Sequence, residues 1–118
     1  MKNGQIEGLA YEILRFLLDH ELWQDVTIYF CGKALSTDDR HGNYAYNDPS
    51  RVFVLENLNP KDYFPYVGSI LSMSFEGPLY DVLNYGPFDL EAEFSALLAQ
   101  HGLYYELGNT WNLTLCEI

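Results

Sequence analysis

His41 stands in the run Asp38-Asp39-Arg40-His41-Gly42, an imidazole beside two carboxylates in a turn-rich loop. A histidine so placed can act as a general base or a metal ligand. The local spacing matches no metal motif, and Asp38, Asp39 and Asp48 lack the regular alternation of a calcium loop. A solvated turn is the preferred reading. Glu76 and Asp81 flank Gly77-Pro78 and could form an acid/base pair, although surface solubility explains them better. His20, His101, Cys31 and Cys116 could be combined into a zinc site only by ignoring their spacing. Both histidines fall at expected helix ends, where the dipole favours them. Both cysteines fall in strand-like runs and read as buried, reduced thiols. There is no nucleophile elbow and no Gly-rich phosphate loop. The chain is therefore assigned no catalytic, cofactor-binding or metal-binding residue, and no cofactor is expected.

The ten tyrosines carry more information. A Tyr side chain supplies a large contact area with a polar tip at small entropic cost, which suits interfaces. Tyr63 and Tyr66, with Tyr80, Tyr85, Glu76 and Asp81, form the expected binding surface, acidic and aromatic together. The competing structural reading places half or more of the rings in the core, with hydroxyls reaching outward.

The last basic side chain is Lys61. From Asp62 to Ile118 there are eight carboxylates and no Lys or Arg. Such a half-chain must present a negative field to water or to a positively charged partner. The net charge is −11, from 17 acids and 6 bases. Charged residues make up 19%, below the roughly 25% usual in globular domains, so the chain is poor in bases rather than rich in acids. Direct nucleic-acid binding and binding to an anionic membrane are disfavoured, because both require Lys and Arg. Residues 1–5 lack the apolar core of a signal peptide, and no apolar run approaches the ~18 residues of a membrane span. The expected location is cytoplasmic, and the Asn112-Leu113-Thr114 sequon is then accidental.

Stepwise periodicity supplies the elements. Ile6, Leu9, Ala10, Ile13, Leu14 and Leu17 recur at helical spacing and predict a helix over 5–20. Residues 25–31 alternate as a strand, Gly32-Lys33 turns, and 34–36 return. Tyr44-Ala45-Tyr46 is expected to pair with a strand over 51–56. Asn59-Pro60 predicts a helical turn ending at Pro65, followed by a strand over 69–75. Pro78 to Tyr85 reads as a short helix, with a strand as the alternative. Asp89 is the expected N-cap of a second long helix over 89–101, one face of which is lined by Leu90, Phe94, Leu97, Leu98 and His101. A hairpin closes the chain, with Gly108-Asn109 as its two-residue turn and Trp111, Leu113 and Leu115 facing one way.

Length and composition fit one globular domain over 1–118. The links between strands are too short for parallel crossovers. The expected fold is α+β, with two amphipathic helices on one face of a mostly antiparallel sheet and one or two short helical turns. The expected function is a non-enzymatic interaction module that binds a basic surface of another macromolecule, in an inhibitor, immunity-type or nucleic-acid-mimic role. The alternative is a small ligand-binding domain or enzyme built from His41, Asp38, Glu76 and Asp81 with Tyr63 or Tyr80.

Overall fold

The computed structural model describes residues 1–58 and 70–118. Tyr63 and Tyr66, Ser69 and the helical turn expected over 59–65 lie outside the described residues. The rest is an α+β fold with a six-stranded antiparallel sheet. Its strands are β1 (Val26–Phe30), β2 (Lys33–Ser36), β3 (Phe53–Leu55), β4 (Ser72–Phe75), β5 (Leu103–Asn109) and β6 (Asn112–Glu117), in the spatial order β3-β2-β1-β4-β6-β5. Three helices are described: α1 (Asn3–Asp19), α2 (Pro78–Tyr85) and α3 (Phe88–Ala99).

Helix α1 buries the six residues its periodicity marks. Glu21 then takes a left-handed conformation, φ 57°, and Leu22 N donates to Leu17 O at 2.7 Å, which closes the helix end. Strand β1 follows and organises the sheet. Ile28 lies opposite Leu35 on one side and Met73 on the other, and Met73 in turn opposes Leu113. All four are fully buried in the hydrophobic cluster that also takes in α1, α2 and α3. The period of two puts the neighbouring residues on the opposite face. Ser36, Thr27, Ser74 and Asn112 form one polar row across four strands, and Thr27 Oγ1 lies 2.9 Å from Ser36 Oγ. Ala34, Tyr29, Ser72, Thr114 and Glu106 form a second row.

Several boundaries differ from expectation, each for a local reason. The β1–β2 turn is Cys31-Gly32, not Gly32-Lys33. Both residues have positive φ, 51° and 75°, as a tight hairpin requires. This leaves Cys31 exposed rather than buried, while Cys116 is partly buried in β6. The C-terminal hairpin turns at Thr110-Trp111 rather than Gly108-Asn109. Asn109 Oδ1 accepts from Trp111 N at 3.0 Å and Asn112 Oδ1 accepts from Asn109 N at 3.1 Å, so the two amides hold the turn. Gly108 lies within the register shift between Leu107 and Asn109. Helix α3 begins at Phe88, with Pro87 rather than Asp89 at the N-cap, and Asp89 lies in the first turn. Residues 78–85 are helical, with Pro78 at the start as expected. The 44–46 segment pairs back onto the end of β2 through Ala45 N to Thr37 O at 2.9 Å, not onto β3.

Phe94 joins the elements at the α3 side. Its ring centroid lies 5.7 Å from Phe16 of α1 and 5.8 Å from Tyr105 of β5, and it is fully buried. The Tyr105 hydroxyl donates to Glu91 Oε1 at 2.9 Å. Burial, helped by that hydrogen bond, raises the Tyr105 phenol to about 12. Phe94→Ala is expected to lower the unfolding free energy by about 3–5 kcal/mol, read as a fall in the urea midpoint at constant m-value. The raised phenol makes a second prediction. Its contribution is complete below the ordinary tyrosine value of 10 and is lost as pH climbs toward about 12. Stability measured from pH 9 upward should fall in that window, and Tyr105→Phe should flatten the fall. An identical pH curve for the variant would refute this account.

Candidate functional site

The entry to β1 and the exit from β4 meet at one end of the sheet. Val26 opposes Phe75, and Glu76 N donates to Asp25 O at 3.1 Å. Gly77 presses against the backbone carbonyl of Gln24, leaving no room for a Cβ atom. This close approach places the side chains of Asp25 and Glu76 at the same edge. A third carboxylate comes from Asp38. Val26 N donates to Thr37 Oγ1 at 3.3 Å, which anchors the end of β2, and Asp38 then bridges to Tyr44. Trp111 arrives from the hairpin turn, its carbonyl accepting from Phe75 N at 2.9 Å.

These residues enclose a cleft of about 340 Å³. Thr27 and Ser74 of the first polar row contribute its hydroxyls, and Asp25, Asp38 and Glu76 its carboxylates. Tyr44 and Trp111 are 55% and 48% exposed, so the cleft carries two unburied aromatic rings. Among the described residues, no Lys, Arg or His lines it. Three of the described basic residues are engaged elsewhere. Lys33 reaches Glu7 at 4.0 Å, Arg40 donates to the Tyr29 hydroxyl at 3.1 Å, and Arg51 lies over Phe53.

Several of the chain's carboxylates are met by neutral donors. Tyr46 OH donates to Asp25 Oδ1 at 2.8 Å, and that bond raises the Tyr46 phenol above its ordinary value. Asp39 accepts from His41 N, Asn43 N and Asn43 Nδ2 at 2.7, 3.0 and 2.7 Å. The Asn43 side chain is the main cause of its lowered pKa. Asp48 is lowered in the same way by Ser50. These hydrogen bonds order the loops, but they bring no positive charge.

The residues expected from sequence are divided by the structure. Glu76 belongs to the cleft. Tyr80, Asp81 and Tyr85 lie on α2, which abuts the Trp111 turn through Asn84 Nδ2 donating to Thr110 O at 2.7 Å. The Tyr80 and Tyr85 rings are 6.1 Å apart, and a hydrogen bond with Tyr80 raises the Tyr85 phenol. Tyr85 is 71% exposed and Phe88 is similarly open. His41 lines a different cavity, of about 440 Å³, with Asp39, Arg40 and β3. The structure therefore does not bring His41 together with Glu76 and Asp81. His101 Nε2 lies 2.8 Å from Glu12, and His20 packs at a tilt against Phe16 with its Nε2 3.7 Å from Glu93, so neither is partnered with a cysteine. Among the described residues no group of three potential ligands is placed to hold a metal ion.

Asp25, Trp111 and Tyr44 complete the cleft and were not singled out by sequence reasoning. Asp25 is the residue just before a strand, and the alternation grouped Trp111 with Leu113 and Leu115 on one strand face. Only the actual position of the turn exposes it. No protein-family model, curated protein or solved structure matches this chain.

Gly77→Ala should force the start of α2 away from Gln24. The expected cost is about 1–3 kcal/mol in unfolding free energy, with a shifted NMR signal for the Trp111 indole. An unchanged denaturation midpoint would show that this contact does not fix the Asp25–Glu76 edge.

Proposed function

We propose that this chain is a non-enzymatic interaction module that binds a basic surface of another protein. The observation that carries the proposal is the cleft of Asp25, Asp38 and Glu76, flanked by exposed Tyr44 and Trp111 and, among the described residues, lined by no basic side chain. Its field acts in a chain of net charge −11. Carboxylates of this kind steer encounter, and aromatic rings provide anchoring contact area.

A typical interface covers about 800 Å² on each partner. The cleft alone is smaller than that, so the proposed surface extends over the Trp111 turn to Tyr80, Asp81 and Tyr85 of α2. The Asn84–Thr110 hydrogen bond, which holds α2 against that turn, supports reading them as one surface. The reading also takes α1 and α3 to share one face of the sheet, supported by the Phe16–Phe94 contact and by His101 meeting Glu12. Thr27 and Ser74 of the first polar row then stand on the partner side. A cytoplasmic location accords with the exposed, unpaired Cys31, and no described helix is long and apolar enough to cross a membrane. The ligand-binding alternative draws on the cleft's volume, which falls at the low end of small-molecule sites, roughly 300–1,000 Å³.

The test is capture from native lysate on the immobilised protein, washed at low and then high salt, with the bound proteins identified by mass spectrometry. A basic protein is expected to be retained at low salt and released as the Debye length shrinks from about 10 Å at 0.1 M to about 3 Å at 1 M. The double variant Asp25→Asn, Glu76→Gln should retain much less of it. Retention that is insensitive to salt and to the double variant would overturn the proposal.

A further inference from the structure

We infer that the cleft beside Trp111 is the seat of one arginine side chain of the partner. This deepens the interaction reading above and rests on it. Charge complementarity calls for a cation: Asp25, Asp38 and Glu76 line the cleft, and among the described residues no Lys, Arg or His does. Among the described residues, nothing hydrogen-bonds to or pairs with the Glu76 carboxylate.

The choice between the two basic side chains follows from the rest of the lining. An ammonium is a compact, strongly hydrated point charge with three donors. A guanidinium is planar and weakly hydrated, carries five N–H donors, and stacks on aromatic faces. The cleft combines acceptors that emerge from separate elements with two exposed rings. Asp25 precedes β1, Asp38 follows β2 and Glu76 follows β4, while Tyr44 bridges back to Asp38 and Trp111 comes from the β5–β6 turn. Spread acceptors suit a fork of donors better than a point charge, and the rings suit a flat cation. Thr27 and Ser74 hydroxyls, facing one another across β1 and β4, can accept the remaining N–H groups. The volume, about 340 Å³, is enough for one such side chain.

The experiment uses the intact chain labelled with nitrogen-15 and follows its two indole N–H signals. Trp111 is half-exposed at the cleft and Trp23 is wholly buried, so Trp23 serves as the internal reference. Trp111→Phe assigns the signals. The probes are N-acetyl-arginine amide, N-acetyl-lysine amide and N-acetyl-citrulline amide, the last an uncharged isostere of the first. The arginine probe is expected to move the Trp111 signal saturably at millimolar concentration. The lysine probe should need about tenfold more and the citrulline probe should do nothing. Glu76→Gln should weaken the arginine response about tenfold, and Glu12→Gln, which alters only the contact to His101, should leave it unchanged. No saturable movement of Trp111, an equal response to lysine, or an unaltered response in Glu76→Gln would overturn the inference. If the arginine probe fails while a basic protein is still captured and released by salt, the interaction reading stands and this seat is wrong. If both fail, both readings fall.

Discussion

Ile28 sits in the middle of β1 with Leu35 on one flank and Met73 on the other, all three without solvent exposure. The pairing of β1 with both neighbours depends on keeping this row intact. A slip of one residue would carry Ile28 to the face of Thr27 and Tyr29 and bring their hydroxyls into the cluster. The same register sets everything at the sheet's end. Because Val26 opposes Phe75, Asp25 and Glu76 become neighbours, and because Thr27 opposes Ser74, hydroxyls line the space beside them. The acidic cleft is thus a consequence of the core's alignment rather than a separate construction.

Electrostatics here works without many cations. A base-poor chain still has to satisfy its carboxylates, and this one uses amides and hydroxyls. Asn43 meets Asp39, Ser50 meets Asp48, Ser95 and Tyr105 meet Glu91, Tyr46 meets Asp25, and Tyr104 meets Glu106. Part of the tyrosine surplus therefore has a structural role as neutral donors to carboxylates. That role lies between the two uses weighed from sequence, core filling and interface contact. Neutral donors hold a carboxylate in place and leave its charge uncancelled, so the negative field survives folding. The loops are ordered while the surface remains attractive to cations.

Much of the architecture was legible because it rests on local periodicity. The buried stripe of α1, the alternation in β1 and β6, and the Pro78 start of α2 follow from spacing and from residues with restricted backbones. The misread points were reversals. At Cys31-Gly32 the turn lies one residue earlier than Gly32 and Lys33 suggest, because a non-glycine residue adopts positive φ. At Thr110-Trp111 the side chains of two asparagines fix a turn that the more obvious Gly108-Asn109 pair did not form. A one- or two-residue shift in a turn decides whether a side chain such as Trp111 points into the core or stands at a cleft.

By itself the sequence determined the fold class, the helical faces, the charge and the scarcity of cations, because each depends on residue type or on short-range spacing. Glu76 could be named from it, as could the aromatic character of α2. Only the tertiary structure decided which carboxylates share a space. Asp25, Asp38 and Glu76 are far apart along the chain and are gathered by antiparallel pairing across β2, β1 and β4. It also parted His41 from Glu76, setting each in a different cavity. Long-range proximity is set by strand order and register, which depend on how the whole apolar row packs, and no local stretch of residues encodes it.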